Sequence, residues 1–235
     1  MSRTSREASG NGAGEARYPL FAVDEGWVEK HLPNVNASIN QLIDEFCKNP
    51  SLPRVEHSLH CELYGHLVAS GELGETQDYG LVRPRRVQKE WPETASRQTQ
   101  DGTFRKRGNF DLVVLGPPED GTPPSLDPEN FRLGLIKPGV VIEIGLDYGL
   151  AHLKADFEKM TNSGVRHGYL IHLSRLPHHG ETVNHVESWI TTHLGKEDEG
   201  IQLAYAQVIE DGRAVRYRKL GEPTINSIRI SNTPL

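Results

Sequence analysis

The sequence predicts an α/β protein built on a mixed β-sheet, and three patterns in the chain point to this class. Residues 139–146 and 168–173 are apolar runs of strand length, and residues 150–160 between them have helical spacing. A strand, helix, strand succession implies a parallel right-handed crossover. Residues 201–220 add a hairpin, because Asp211-Gly212 is a turn signal between two strand-like runs. Parallel and hairpin pairings together make a mixed sheet.

Two helices are predicted before the first strand. Apolar residues recur at near-helical spacing from residue 24 to 48, and Pro33 is expected to break this stretch, which leaves a helix at about 36–47. The second helix is predicted from about residue 55 to Gly71, because apolar side chains recur there every four residues: Val55, Leu59, Leu63 and Leu67.

The remaining elements follow from apolar runs separated by glycine and proline clusters. Strands are predicted at 82–91 and 108–115, ahead of the crossover pair. The long connection 116–138 is expected to hold a short helix near 127–133, and a further helix is predicted near 183–194. Asp147 is expected to cap the helix that begins near residue 150.

Length and composition describe one ordinary globular domain. The chain has 235 residues, 36% of them hydrophobic and 25% charged, and no apolar run approaches the roughly 20 residues of a membrane helix. Residues 1–18 read as a disordered tail without a secretory signal, and residues 19–235 as a single domain in a cytoplasmic protein. The only cysteines, Cys47 and Cys61, are interpreted as core thiols rather than a disulfide or zinc motif.

Two carboxylates interrupt the predicted strands. Asp111 lies in Phe-Asp-Leu-Val-Val, and Glu143 lies in Val-Ile-Glu-Ile-Gly. Burying a carboxylate in an apolar run is costly unless a cation meets it. Mg²⁺ takes one or two carboxylates together with waters and substrate phosphate oxygens, so neighbouring strands would offer a site for Mg²⁺ or Mn²⁺.

The charges are unevenly distributed along the chain. The formal net charge is -6, yet residues 83–107 carry eight Lys or Arg and only three acidic residues. A local basic patch on an acidic protein is sufficient to bind a phosphate backbone, although a solvated charged hairpin would have the same composition. The predicted nucleic-acid contacts are Arg83, Arg85, Arg86, Arg105, Lys106 and Arg107.

The order of elements around the two acids resembles the PD-(D/E)XK nuclease superfamily over about residues 54–175. The resemblance implies a restriction-endonuclease-like, three-layer α/β/α core with a central mixed sheet, extended here by an N-terminal helix and by a C-terminal helix plus hairpin. It implies that Asp111 and Glu143 bind a divalent metal, and that Glu56 joins them from the first core helix. Glu62 is a weaker alternative to Glu56, and Glu90 is left unassigned.

One signature residue is displaced from its usual place. The family pattern expects a lysine two residues after the second acid, where this chain has Gly145. A lysine from the following helix could fill the same space, and the candidates are Lys154 and Lys159. Lys159 is favoured because Asp156-Phe157-Glu158-Lys159-Met160 resembles the Asp-x-x-Lys-Leu pattern of some branches; the alternative is a solvated lysine that pairs with Asp156.

The sequence therefore supports two main functional hypotheses. The first is a metal-dependent nuclease that hydrolyses phosphodiester bonds with Mg²⁺ or Mn²⁺, with DNA favoured over RNA as substrate and partner and a homodimer allowed for. The second is a catalytically inactive module of the same fold that binds nucleic acid or a protein partner. A third hypothesis is an enzyme of another class built on an α/β sheet, because a fold does not determine a function.

Overall fold

The computed structural model describes residues 21–93, 108–121, 125–175, 181–193, 200–209 and 212–230. Two helices open the described chain, and a short 3₁₀ turn at Gly71–Gly74 follows the second of them. The elements are α1 Glu25–Lys48, α2 Glu56–Ala69, β1 Val87–Pro92, β2 Asn109–Val114, α3 Pro128–Arg132, β3 Val140–Leu146, α4 Leu150–Asn162, β4 Gly168–Ser174, α5 Glu181–His193, β5 Ile201–Ile209, β6 Ala214–Arg218 and β7 Asn226–Arg229.

Within the described residues, seven strands form one sheet in chain order. Strands β1, β2 and β3 pair antiparallel, β3, β4 and β5 pair parallel, and β5, β6 and β7 pair antiparallel. The predicted α/β class, the mixed sheet and the parallel crossover through α4 are confirmed. Helix α5 makes a second parallel crossover, from β4 to β5.

The two N-terminal helices pack on each other and on different parts of the sheet. Helix α2 contacts β1, β2 and β3, whereas α1 contacts β5 and β6. Helix α4 contacts β3 and β4 and also α5. Strands β3 and β4 are buried along their whole length, as expected for parallel strands in the centre of a sheet. The C-terminal end of β3 therefore lies where α2 and α4 both reach the sheet.

Helix α1 is longer than the sequence predicts, because Pro33 does not interrupt it. The helix begins at Glu25, where the Asp24 carboxylate accepts a hydrogen bond from the Trp27 backbone N–H at 3.0 Å. Val28 and Val35 are both buried, on either side of the proline. Burial of this apolar stripe outweighs the one backbone hydrogen bond that a proline removes.

Smaller corrections concern single elements. Strand β1 begins at Val87 instead of residue 82, and β7 was not predicted. Cys47 is buried, but Cys61 is exposed, because it lies on the solvent side of α2 between buried Leu59 and Leu63. Among the described residues, no helix combines the length and the apolar character needed to cross a membrane.

Candidate metal centre

The two strand carboxylates lie opposite each other where β2 and β3 part. The ladder pairs Val114 with Val140 and ends at Leu112 with Ile142, so Asp111 and Glu143 are the next residues on either strand. Instead of continuing the ladder, the Asp111 carboxylate accepts a hydrogen bond from the Ile144 backbone N–H at 2.8 Å. Side chains opposite each other in an antiparallel pair share a face of the sheet. The register thus brings the two predicted acids together.

Glu56 meets the same edge of β3 from the first turn of α2. Its Oε2 accepts a hydrogen bond from the Leu146 backbone N–H at 3.2 Å. Two alternate amides of β3, at residues 144 and 146, therefore bind carboxylates instead of a neighbouring strand. Burial raises the pKa of Glu56, the Leu146 N–H opposes this, and the nearby Asp111 charge adds to the rise.

Glu143 is the most deeply buried of the three acids, and Lys159 is its partner. Its exposed fraction is 1%, and Lys159 Nζ lies 2.6 Å from Glu143 Oε2. The ammonium group also donates to the Asn109 carbonyl oxygen at 3.1 Å and lies 3.7 Å from Asp156 Oδ1. The structure therefore brings Lys159 to the second acid. Lys154 is exposed on the outer side of the same helix.

Lys159 alone does not balance the negative charges of Glu143, Asp111 and Asp156. Burial raises the pKa of Glu143 well above its usual range, and Asp111 raises it further, while Lys159 opposes both. Burial lowers the pKa of Lys159, but Glu143 and then Asp156 more than offset this, so the net direction is upward. The second oxygen of Glu143, Oε1, is buried and makes no hydrogen bond among the described residues. An unpaired buried carboxylate oxygen beside a second carboxylate fits a hard divalent cation.

Because Gly145 has no side chain, its side of β3 is open to the rings of Tyr148, in the connection after β3, and of His172 on β4. A Cβ atom built at this position would lie 3.5 Å from Tyr148 and 3.6 Å from His172, which is ordinary contact distance. Tyr148 stacks on His152 with 4.0 Å between ring centroids, and His152 in turn lies 3.1 Å from Asp156. The space that a lysine side chain at position 145 would occupy is thus lined by these rings. The ammonium group that contacts Glu143 belongs instead to Lys159 on α4.

His60 is a functional candidate that the sequence did not reveal. It is only 4% exposed, and neither ring nitrogen makes a hydrogen bond among the described residues. Its Nε2 lies 3.7 Å from Asp111 Oδ2 and 3.9 Å from Glu56 Oε1. Burial lowers the pKa of His60, and the Asp111 charge opposes this. The available signal was its spacing of four residues from Glu56, which places both side chains on one side of a helix.

Glu90 completes a second group that could hold a metal. Ligand atoms of His60, Glu90 and Asp111 lie within 4.8 Å of one another. The β1–β2 register skips Glu90, whose φ is 54°, a left-handed conformation that is uncommon outside glycine. This local irregularity in the edge strand accompanies the approach of Glu90 to Asp111. A third such group, Glu25 with Glu29 and His167, is formed at the N-terminal end of α1.

Arg175 clamps the start of α2 to the ends of two strands. Its Nη1 donates to the Pro53 carbonyl oxygen at 2.6 Å, and its Nε donates to Asp147 Oδ2 at 2.8 Å. Asp147 also accepts from the Arg175 backbone N–H and has a positive φ of 63°. Asp147 therefore does not cap α4 as predicted; Gly149 occupies the cap, and the carboxylate is committed to Arg175. The clamp fixes the chain just before Glu56.

Replacing Arg175 with Ala is expected to loosen this end of α2. The change removes charge-assisted hydrogen bonds of a partly buried side chain, so the free energy of unfolding should fall by about 1.5–3 kcal/mol. Urea denaturation measures this loss. Arg175→Lys should recover only part of it, since lysine cannot bridge Asp147 and the Pro53 carbonyl with one planar group. Equal stability of all three proteins would contradict the clamp.

The pH dependence of stability provides a test of the buried Glu143. When folding raises the pKa of a carboxyl group, protonation of that group stabilises the fold. This contribution is complete below the pKa of the unfolded chain, near 4.5, and is lost as pH rises through the higher pKa of the folded protein. Glu143→Gln, which cannot ionise, should gain stability relative to the wild type as pH rises from near 4.5 in EDTA. Chemical denaturation at a series of pH values measures the difference. Parallel profiles would contradict a Glu143 carboxyl group whose pKa is raised on folding.

The predicted nucleic-acid contacts have different surroundings. Arg83 and Arg85 are exposed ahead of β1. Arg86 is buried, with its guanidinium 4.4 Å from the Trp27 ring centroid, so it does not offer a surface charge and the prediction for it is corrected. Arg105, Lys106 and Arg107 lie outside the described residues. The described part of the patch is therefore Arg83, Arg85 and Lys89.

Comparison of the chain with models of known protein families, with curated proteins and with solved structures found no match.

Proposed function

We propose that this protein is a divalent-metal-dependent nuclease of the PD-(D/E)XK type, which hydrolyses phosphodiester bonds, with DNA rather than RNA as the proposed substrate. One observation carries the proposal. Asp111 and Glu143 lie opposite each other just beyond the end of the β2–β3 ladder, and within the described residues the Glu143 carboxylate pairs with a lysine from the following helix, Lys159. Two acids and one lysine are the functional groups that the family resemblance requires.

The order of elements supports a restriction-endonuclease-like, three-layer core. A helix, three antiparallel strands, a helix and a parallel strand occur in this order as α2, β1, β2, β3, α4 and β4, with the short helix α3 inserted between β2 and β3. The acids lie on the second and third of these strands, and Glu56 lies on the first helix. This is the arrangement that the resemblance predicts for residues 54–175.

Asp111 and Glu143 would hold the cation, and Mg²⁺ or Mn²⁺ suits their oxygen donors. A bound divalent cation would lower the pKa of a water and neutralise the charge that develops on the phosphate. His60 and Glu90 extend the donor set beside Asp111.

The residues of the chain would prepare this centre in distinct ways. The Ile144 and Leu146 amides orient the Asp111 and Glu56 carboxylates by direct hydrogen bonds. Lys159 keeps the Asn109 carbonyl and Asp156 as partners when the charge of Glu143 is taken up by a cation. Its ammonium group would then stabilise negative charge on a substrate phosphate oxygen. Arg83 and Arg85 supply exposed positive charge for the backbone.

The proposal is tested by incubating the purified full chain with single-stranded and double-stranded DNA in Mg²⁺, in Mn²⁺ and in EDTA. Cleavage with either metal, and none in EDTA, is the expected result. Intact DNA with both metals, from a folded protein, would reject the nuclease. Binding of DNA without cleavage would instead favour the inactive module, for which the absence of a lysine at Gly145 is the supporting observation.

A further inference from the structure

A cleft of about 580 Å³ opens along the edge strand β1, next to the candidate metal centre. Its borders include Lys89, Glu90, Trp91, Asn109, Phe131 and Arg132. The volume is within the range of small-ligand sites, roughly 300–1,000 Å³. Strand β1, the start of β2 and the helix α3 supply these residues, so the cleft is formed where the long connection between β2 and β3 returns to the sheet.

Two residues connect the cleft directly to the acids. Glu90 borders it and belongs with His60 and Asp111 to the group of ligand atoms within 4.8 Å. Asn109 borders it as well, and its carbonyl oxygen accepts from Lys159 at 3.1 Å. A nucleic acid whose phosphate lies at the acids would therefore have a neighbouring nucleoside beside this cleft.

The chemistry of the walls suits a flat heteroaromatic group. Phe131 is only partly buried, and it packs edge-on against Trp91 with 5.2 Å between ring centroids. The indole Nε1 of Trp91 is buried and makes no hydrogen bond among the described residues. The exposed amide of Asn109 offers both a donor and an acceptor at the rim. An aromatic ring beside an exposed amide matches a nucleobase, which has a π-face and a polar edge.

The charges at the mouth fit a nucleotide better than a neutral ring. Lys89 contacts His57 and Cys61 at 3.4 Å and makes no ion pair among the described residues. Arg132 is paired with Glu129, so of these two described cations at the cleft Lys89 is the one left for a phosphate. The Glu90 carboxylate lies on the side of the acids, where the proposed cation would offset its charge.

We propose that this cleft receives one unpaired nucleobase next to the scissile phosphate, so that the protein prefers single-stranded or frayed DNA to a fully paired duplex. The proposal rests on the nuclease function proposed above, because that function places the backbone at the acids. A base in a duplex would first have to leave its stack and its pair, whereas a single strand presents its bases freely.

An abasic scan tests the proposal in the full chain carrying Asp111→Asn, which is used to suppress cleavage. The probes are a single-stranded thymidine 12-mer, a set of the same 12-mer with one abasic site at each position, and a 12-base-pair duplex, all in Mg²⁺. The intact single strand should bind about tenfold more tightly than the duplex. One abasic position should lose about tenfold in affinity, the effect of one stacked base.

The matched variants show whether that position depends on the cleft. In Phe131→Leu, which keeps an apolar side chain but removes the ring, the intact strand should bind about tenfold more weakly and the abasic effect should vanish, since the two changes remove one contact. Tyr217→Leu, which removes a partly buried ring on β6, should leave both affinities unchanged.

The outcomes separate the cleft from the nuclease. Equal affinity for single strand and duplex, or an abasic effect that persists in Phe131→Leu, would overturn the cleft proposal even if the wild type cleaves DNA with Mg²⁺. A Phe131-dependent abasic effect in a protein whose wild type leaves DNA intact would support the cleft and reject the nuclease. Thermal denaturation of each variant confirms that it folds.

Discussion

Replacing Asp111 with Asn should abolish metal-dependent cleavage and leave the fold at least as stable as the wild type. The Asn carbonyl oxygen can still accept the Ile144 N–H, so the local backbone geometry keeps its support. The change also removes a negative charge beside buried Glu143, whose raised pKa reflects that charge in part. Removing a residue that hydrogen-bonds to a metal ligand typically lowers activity about 10–100-fold. Removing a ligand itself should therefore lower activity more than about 100-fold.

The paired readout distinguishes a functional from a structural role for Asp111. Cleavage rate and urea denaturation are measured on the same preparation. Asp24→Asn is the matched control, because Asp24 caps α1 and Asn is an equally good cap, so both cleavage and stability should be unchanged. An Asp111→Asn protein that cleaves DNA at the wild-type rate would show that Asp111 does not hold the cation.

Replacing Lys159 with Met is expected to destabilise the protein and to stop cleavage. The variant leaves the Glu143 carboxylate buried without its 2.6 Å partner. Breaking a buried ion pair from one side costs about 3–5 kcal/mol, because an uncompensated charge remains in the interior. Protonation of Glu143 relieves this cost, so the loss measured by urea denaturation in EDTA should increase with pH.

Two companion variants separate the charge effect from packing. Lys154→Met, on the exposed side of the same helix, should change stability by no more than about 0.5 kcal/mol and should leave cleavage intact. The double variant Glu143→Leu with Lys159→Met should recover most of the stability, since apolar residues can replace a buried pair, but it should not cleave. A Lys159→Met protein as stable as the wild type would contradict the buried pair.

Much of the fold could be predicted from local patterns. The fully buried strands β3 and β4 are continuous apolar runs, and the helix between them ends at a clear Asn-Ser-Gly breaker. These signals do not depend on distant contacts. The extent of α1 could not be predicted in the same way, because burial of Val28 and Val35 against other elements decides whether a helix continues through Pro33.

Residues of the candidate site could be predicted where they contrast with their neighbours or where the family resemblance assigns them. Asp111 and Glu143 interrupt apolar strands, so the sequence reveals them, and the resemblance pointed to Lys159 over Lys154. His60 lies on a helix in which polar residues are ordinary, and its burial at 4% comes from tertiary packing. Arg175 acts across more than a hundred residues of sequence, through the Pro53 carbonyl. Arg86 was assigned to the surface because charge alone does not show that it packs on Trp27.

The most direct test of the proposed metal centre is anomalous diffraction from a crystal of the full chain soaked in Mn²⁺, measured at the manganese absorption edge. An anomalous peak bound by both the Asp111 and Glu143 carboxylates is the predicted result, with Lys159 retaining the Asn109 carbonyl as an acceptor. A map with no peak at these carboxylates, in which Lys159 still pairs with Glu143, would contradict the proposal that the two acids hold a divalent cation.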